Sequence, residues 1–149
     1  MIRDAVIKDA NAIQQLIRVR ADEGAMLPRS INDIYEQLRD FIVFEEDGKI
    51  IGAAATHIVW EDIAEIRSLA VNKDAEGKGV AKSLVNKSLE TAKSLGVKKV
   101  FVLTYVPEFF KKRGFKDVDK HDLPHKIWSD CIRCHKFPDC DEFALAIEL

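Results

Sequence analysis

The chain has 149 residues, and its 23 Lys and Arg nearly balance its 25 Asp and Glu, for a formal charge of −2. This balance gives no global attraction to nucleic acid or to anionic membranes, so we expect neither as a partner. A chain of this length can bury a core without disulfides, and no apolar run is long enough to span a bilayer. The first four residues do not resemble a secretory signal, so we expect a soluble cytoplasmic protein.

The N-terminal third predicts a strand and two helices. Residues 2–7 are typical of a strand, and Asp9 is placed to cap a helix. The residues that this helix would bury recur at helical spacing, namely Ile13, Leu16 and Ile17. Ser30 and Asp33 predict a capping box at the start of a second helix, which carries Ile34 and Leu38.

The middle of the chain predicts a hairpin, a further strand and a long helix. Asp47-Gly48 supplies the positive φ angles of a tight turn between strands at 41–45 and 50–60. A strand at 63–71 follows. The helix after it is predicted by an apolar stripe and ends at Gly96. The stripe consists of Val80, Leu84, Val85, Leu89, Ala92 and Leu95.

The C-terminal third predicts three strands and one short helix. The strands lie at 98–104, at 115–118 and in the last nine residues, where Phe143, Leu145, Ile147 and Leu149 alternate. The helix at 107–113 is capped by Gly114. The elements together predict a single α/β (α+β) domain over 1–149, with an antiparallel meander followed by a β-α-β crossover. In it we expect an irregular cysteine-containing segment at 119–140 and a final strand at 141–149.

The segment Gly77-Lys78-Gly79 stands between the fourth strand and the long helix. Two glycines at a helix start let backbone N–H groups turn outward at the positive end of the helix dipole. This arrangement indicates a cradle for a phosphate or pyrophosphate. The alternative is a tight turn with no ligand. The segment lacks the full P-loop pattern and the third glycine of a dinucleotide fingerprint.

The run Glu76-Gly77-Lys78-Gly79-Val80-Ala81 resembles the acyl-CoA loop of the GNAT N-acetyltransferases, Arg/Gln-x-x-Gly-x-Gly/Ala. It departs only at the first position, where an acid replaces Arg or Gln. Residues 109–115 are similar to the family's Tyr-x-x-x-Gly-Phe signature. The resemblance implies a GNAT fold, a mixed and mostly antiparallel sheet of about seven strands with helices on both faces. It also implies acetyl-CoA as co-substrate, held by residues 76–81 with Lys78 and Lys82 adding charge beside the pyrophosphate.

The polar-to-apolar pattern of the fourth strand changes phase near Ser68-Leu69, which predicts a β-bulge. The alternative is a strand that is simply half exposed. In the GNAT family the strand splays here and its free backbone groups bind the pantetheine arm. The resemblance assigns this role to Leu69, Ala70 and Val71.

Acetyl transfer to an amine needs a neutral amine, so the site needs a base or a desolvated path for the proton. The resemblance makes Glu65 the candidate base; the alternative is a solvated glutamate at a strand edge. The family's usual proton donor is a Tyr at the position that Phe110 occupies, within the acyl-CoA site. We therefore take the hydroxyls of Ser68, Thr104 and Tyr105 as candidate donors to the leaving thiolate.

Three segments, at 26–30, 65–71 and 123–131, resemble the short, kinase-less amino-acid N-acetyltransferases of arginine biosynthesis. This implies direct attack by L-glutamate on acetyl-CoA in a ternary complex. The two carboxylates of glutamate suit two arginines, and we assign Arg29 and Arg67 as substrate-binding residues. The alternatives are acetylation of another amino acid, a polyamine or a protein N-terminus, or a catalytically silent acyl-CoA-binding module. Family members are often dimers, so a homodimer is an expectation.

The three cysteines of the chain fall close together, at Cys131, Cys134 and Cys140. With His125 they form a candidate set of ligands for a structural zinc ion. Two alternatives stay open: reduced cysteines packed as small apolar groups, and a Cys-x-x-Cys redox pair. A disulfide is disfavoured in a cytoplasmic protein.

Overall fold

Seven strands form one sheet in the residues that the computed structural model describes, 1–123 and 142–149. The strands are β1 (Ile2–Asp4), β2 (Phe41–Glu46), β3 (Lys49–Trp60), β4 (Ile63–Val71), β5 (Lys99–Thr104), β6 (Lys116–Asp117) and β7 (Phe143–Glu148). Their order is β1-β2-β3-β4-β5-β7-β6. The pair β4–β5 is parallel, whereas β1–β2, β2–β3, β5–β7 and β6–β7 are antiparallel. The predicted α/β fold with a mostly antiparallel, seven-stranded sheet is confirmed.

Four α-helices accompany the sheet over the same described ranges. They are α1 (Ala10–Asp22), α2 (Ile31–Glu36), α3 (Val80–Ser94) and α4 (Pro107–Lys111). Short 3-10 turns lie at Ile7–Asp9, Leu38–Asp40, Lys73–Ala75 and Lys120–Asp122. None of the helices found in the described residues has both the length and the apolarity of a membrane span.

The chain divides into two compact units. The first comprises Met1–His57 and Ile66–Thr91, and the second comprises Ile58–Glu65 and Ala92–Leu149. In the first unit, one apolar cluster joins α1 to the hairpin of β2 and β3, and another joins the start of α3 to the same hairpin. The second unit has its own cluster, built from Ile63, Phe101, Leu123, Ala144 and Ala146. Each unit therefore has a core of its own.

The hairpin and the long helix follow the sequence closely. Asp47 and Gly48 both have positive φ, at 51° and 74°, as the Asp-Gly turn predicts. Most of the predicted stripe of α3 is buried, and Gly96 ends the helix with φ 89°. Leu89 is half-buried, and Leu95 departs most from the prediction, since 64% of its surface is exposed. It follows the last residue of the helix, so the helical periodicity no longer directs it to the core.

The opening strand is shorter than predicted because of Asp9. The Val6 amide donates to Asp9 Oδ2 at 2.8 Å, and Arg3 donates to both carboxylate oxygens at 2.7 and 3.0 Å. These bonds hold the chain in a 3-10 turn, and β1 ends at Asp4. Asp9 does precede α1, but its side chain caps the preceding turn and makes no capping bond to α1.

Other element ends also differ from the prediction. Ser30 Oγ accepts from the Asp33 amide at 3.1 Å, as expected, yet α2 ends at Glu36 and leaves Leu38 in a 3-10 turn. In β7, Phe143 is 51% exposed while Ala144 and Ala146 are buried. The predicted last strand is confirmed as β7, but its burial does not alternate, because its middle residues are buried on both faces.

Candidate functional site

The glycine loop at the start of α3 has the geometry of an anion cradle. Gly77 and Gly79 have φ of 79° and 78°, and a Cβ on either would meet nothing within 4 Å. The Glu76 amide donates to Lys73 O at 3.2 Å, and the next amide in the described chain that donates to a backbone carbonyl is that of Ser83, which bonds Gly79 O at 3.0 Å; the amides of residues 77–82 lie between these two. These amides are available to a ligand at the positive end of the helix dipole. Lys78 and Lys82 lie exposed beside them.

The acid at the first position of the loop has a cationic partner in α1. The Glu76 carboxylate contacts the Arg20 guanidinium, and the same guanidinium donates to the Val71 carbonyl at 2.8 Å. Sequence reasoning missed Arg20. The signal was indirect: an acid in an anion-binding loop calls for a cation nearby.

Strand β4 runs unbroken from Ile63 to Val71, but its backbone is irregular at Ser68, where its pattern changes phase. Ser68 has φ 57°, in the left-handed region that residues with a side chain seldom occupy. Strained backbone of this kind is frequent at ligand sites. Just beyond it, Leu69 is half-buried, whereas Ala70 and Val71 are buried in the first unit. One of the carbonyls in this stretch, that of Val71, already accepts from Arg20.

Arg29 contacts the irregular part of β4 through Ser68. Its Nη1 donates to Ser68 Oγ at 3.1 Å, its Nη2 donates to Gln37 Oε1 at 2.8 Å, and its Nε lies 3.7 Å from Asp33 Oδ2. Its guanidinium carbon is 5.4 Å from the centre of the Phe41 ring. The structure therefore brings one predicted substrate residue, Arg29, to another predicted site residue, Ser68. Only 9% of its side chain is exposed, so the guanidinium is fixed in place.

Arg67 immediately precedes Ser68 and is half-buried. Glu65 stands two residues earlier in the sequence of β4 and belongs to the second unit. It is 8% exposed and lies opposite Phe101 in the parallel register of β4 with β5, which ends at that pair. The structure therefore places the predicted base in a buried position of its unit.

The remaining candidate donors lie in the second unit. Thr104 is buried, and its Oγ1 accepts from the Val106 amide at 3.0 Å, so its proton stays available to another acceptor. Tyr105 is half-buried. Phe110, which stands where the family has Tyr, packs edge-on against Phe109 and Phe115, with ring centres 5.0 and 5.3 Å away. It is 4% exposed, so this ring belongs to the core of its unit.

A second residue that sequence reasoning missed is Gly52 in β3. A Cβ at this position would lie 2.8 Å from Val80 Cγ1 and 3.0 Å from Leu84 Cδ1. The glycine lets the start of α3 approach the strand closely. Its sequence signal was a lone glycine inside an apolar strand, which marks close approach of another element.

A groove of about 740 Å³ lies in the first unit, between α1, the hairpin turn and the segment before the loop. Its lining includes Val71, Asn72 and Lys73. It does not include Arg29, Arg67 or Ser68 among the described residues that line it. The groove therefore borders Val71, one of the predicted acyl-CoA residues on β4, and none of the predicted substrate residues.

The predicted zinc ligands, Cys131, Cys134, Cys140 and His125, lie outside the described residues. Within residues 1–123 and 142–149, no three His, Cys, Asp or Glu side chains are grouped so that they could hold a metal ion. The zinc site stays a prediction.

Residues 10–115 match the model of the Acetyltransferase (GNAT) family. The chain belongs to the GNAT acetyltransferases and is an acyltransferase that uses acetyl-CoA.

The chain is similar to two curated relatives and one solved structure that are acetyltransferases or a synthase of N-acetylglutamate. An uncharacterized N-acetyltransferase of Chlorobaculum tepidum is 42% identical over 97% of this chain and 93% of its own length. An amino-acid acetyltransferase of Mycobacterium tuberculosis is 31% identical over 91% of this chain and 79% of its own. The N-acetylglutamate synthase of Neisseria gonorrhoeae, crystallised with coenzyme A and N-acetyl-glutamate, superposes with a TM-score of 0.91 at 28% identity. That superposition covers 100% of this chain and 35% of the synthase chain.

Proposed function

We propose that this enzyme transfers the acetyl group of acetyl-CoA to the α-amino group of L-glutamate, as a step of arginine biosynthesis. The observation that carries the proposal is that two arginines, Arg29 and Arg67, accompany Ser68, the irregular residue of β4. Arg29 is fixed against Ser68, and Arg67 is the residue before it. Guanidinium groups bind carboxylates through paired, charge-assisted hydrogen bonds, and glutamate has two carboxylates.

The relatives support an amino-acid acceptor. The Mycobacterium tuberculosis relative is named an amino-acid acetyltransferase, and the Neisseria gonorrhoeae synthase was crystallised with N-acetyl-glutamate. A polyamine acceptor would instead call for carboxylates around the bound amine. The described partners of Ser68, the residue at the centre of the proposed site, include a guanidinium.

In the proposed reaction, the exposed backbone N–H groups between Glu76 and Lys82 hold the diphosphate of acetyl-CoA, and Leu69 to Val71 bind the pantetheine arm. The neutral amine of glutamate attacks the thioester carbonyl carbon, a C–N bond forms and the C–S bond breaks. The proton of the amine passes to the Glu65 carboxylate, directly or through water. The departing thiolate of coenzyme A takes a proton from a hydroxyl, for which Ser68, Thr104 and Tyr105 are the candidates, and that hydroxyl regains a proton from water.

Direct attack requires both substrates to be bound together. In this proposal Glu65 and Arg67 act on the same acceptor molecule, Glu65 on its amine and Arg67 on a carboxylate. The arginines bind and orient glutamate, so the amine is positioned for attack before the proton is lost.

The experiment is a thiol-release assay with acetyl-CoA and a panel of acceptors. L-Glutamine is the matched control for L-glutamate, because it has the same shape without the side-chain carboxylate. We expect kcat/KM for glutamate to exceed that for glutamine by a factor of about ten or more. This factor corresponds to the free energy of one charge-assisted hydrogen bond, which glutamine cannot make with its side-chain amide. Equal values for the two, or faster turnover of spermidine, would contradict the proposal. The product of the glutamate reaction should be N-acetylglutamate by mass spectrometry.

A further inference from the structure

The first position of the acyl-CoA loop holds Glu76, where the family pattern has Arg or Gln. A carboxylate beside the amides that receive a diphosphate would repel it, since like charges in close approach weaken binding strongly. The side chain of Glu76 is 57% exposed, so it lies at the surface of the loop. The loop can bind an anion well only if this charge is neutralised or held aside.

Arg20 of α1 is in place to do both. Its guanidinium contacts the Glu76 carboxylate, and one of its nitrogens also donates to Val71 O at 2.8 Å. The Val71 contact fixes the guanidinium on the end of β4, which is the strand that leads into the loop. Only 21% of the Arg20 side chain is exposed, so the cation of this ion pair is partly covered even though its carboxylate partner lies at the surface.

Two further charges complete the cluster. Glu23 lies 3.5 Å from Arg20 Nη1 and also contacts the Lys73 ammonium. The Lys73 hydrogen bond, with help from Arg20, lowers the pKa of Glu23 below its ordinary value, so Glu23 is ionised at neutral pH. The four side chains are two cations and two carboxylates, so the cluster is neutral. Loss of Arg20 would leave one net negative charge beside the loop.

We propose that Arg20 is a positioning residue for acetyl-CoA: it neutralises Glu76 and holds it aside, and so restores an anion-binding loop that lacks the family's Arg or Gln. The proposal rests on the proposed role of residues 76–82 in coenzyme A binding. It differs from a direct contact between Arg20 and the cofactor, because it makes the effect of Arg20 depend on the presence of Glu76.

The test is a double-mutant cycle on the dissociation constant of coenzyme A, measured by calorimetry. The proteins are the wild type, Arg20→Gln, Glu76→Gln and the double variant. We expect Arg20→Gln to weaken binding about tenfold or more, and Glu76→Gln to bind as tightly as the wild type or tighter. The double variant should bind within about threefold of the wild type, because no uncompensated acid is left.

A matched control is Arg18→Gln, which removes the same charge from the same helix. Arg18 is exposed and two residues away, so it faces a different side of α1. We expect its coenzyme A affinity to equal that of the wild type. The unfolding midpoint of each variant, measured in urea, identifies any that fail to fold. If Arg20→Gln does not fold, Arg20→Lys, which keeps the charge and loses the fork, should bind less tightly than the wild type and regain affinity with Glu76→Gln.

Two results would overturn the proposal while leaving the function intact. The first is that Arg20→Gln lowers coenzyme A affinity equally in the presence and absence of Glu76. The second is that the wild type binds coenzyme A and Arg20→Gln binds it just as tightly. A wild type that is folded but binds no coenzyme A would instead refute the proposed function. A steady-state readout separates positioning from general damage, since Arg20→Gln should raise KM for acetyl-CoA and leave kcat nearly unchanged.

Discussion

Gly52 in β3 lies so close to Val80, the first residue of α3, that a Cβ on the glycine would be 2.8 Å from Val80 Cγ1. The helix start that carries the candidate diphosphate loop is therefore seated on a strand position without a side chain. Its amides are held in place by packing underneath as well as by the loop itself.

We expect Gly52→Ala to disturb this contact. A methyl group there would push on Val80 and Leu84, and overpacking of this kind costs about 1–3 kcal/mol. The free energy of unfolding should fall by that amount, and coenzyme A should bind several-fold more weakly because the helix start moves. The control is Gly48→Ala in the turn of the same hairpin, where a Cβ meets nothing within 4 Å; its positive φ gives alanine a backbone cost in stability, but coenzyme A affinity should not change. Unchanged affinity in Gly52→Ala, measured by calorimetry, would show that the contact does not position the loop.

Glu65→Gln should slow acetyl transfer and spare cofactor binding. Removal of a general base typically costs about 10²–10⁴-fold in rate, so we expect kcat to fall by at least about a hundredfold. The dissociation constant of coenzyme A should stay the same. Glu61→Gln, which changes an exposed acid in the turn before β4, is the matched control and should keep full activity. Normal turnover by Glu65→Gln would exclude Glu65 as the base.

Arg67→Gln should weaken the binding of the acceptor, glutamate, and leave the binding of acetyl-CoA unchanged. A lost charge-assisted hydrogen bond costs about 1.5–3 kcal/mol, so KM for glutamate should rise about 10- to 100-fold. KM for acetyl-CoA should not change. The control, Arg39→Gln, alters an exposed arginine of the same unit. Steady-state kinetics with each substrate varied in turn would reveal the opposite pattern, a rise in KM for acetyl-CoA alone, if Arg67 served the cofactor.

Asp9 should make the protein sensitive to acid. Its hydrogen bond from Arg3 lowers the pKa of the carboxyl in the folded state, so the unfolded state binds more protons as the pH falls. The stability contributed by Asp9 is present above the ordinary pKa, near 3.8, and is lost as the pH drops through the lower folded value.

Urea unfolding of Asp9→Asn tests this expectation. The variant should lose about 1–3 kcal/mol at pH 7, because the Arg3 guanidinium loses one of its two charged partners and keeps only Glu45. Below about pH 4 its stability should change less with pH than that of the wild type. Asp4→Asn, at an exposed carboxyl in β1, should behave like the wild type. Parallel pH profiles for Asp9→Asn and the wild type would contradict the account.

Local signals predicted much of the fold. The Asp47-Gly48 turn, the capping bond of Ser30 and the span of β4 agree with the sequence, because each depends on neighbours in the chain. The predicted ends of β1 and α2 were wrong. In β1 the cause is a side chain several residues ahead, that of Asp9, which draws the backbone into a turn. The hydrophobic periodicity of the sequence does not indicate a side-chain-to-backbone bond of this kind.

The candidate site was predicted only in part. The two glycines of the loop and the irregularity at Ser68 could be located by pattern. The ion pair of Arg20 with Glu76 joins residues 56 positions apart, and no local pattern indicates a pair at that separation. The roles of Glu65, Arg29 and Arg67, the homodimer and the cytoplasmic location stay predictions.

The most direct test of the whole account is calorimetric titration of coenzyme A into the wild type, Gly79→Ala and Gly96→Ala. Both glycines have positive φ and open space at the Cβ position, so alanine imposes a similar backbone cost of about 1–2 kcal/mol at either end of α3. We predict saturable binding of coenzyme A to the wild type, equal binding to Gly96→Ala, and a loss of about tenfold or more in Gly79→Ala. A folded wild type that binds no coenzyme A, or a Gly79→Ala variant that binds it as tightly as the wild type, would contradict the claim that this loop holds the cofactor.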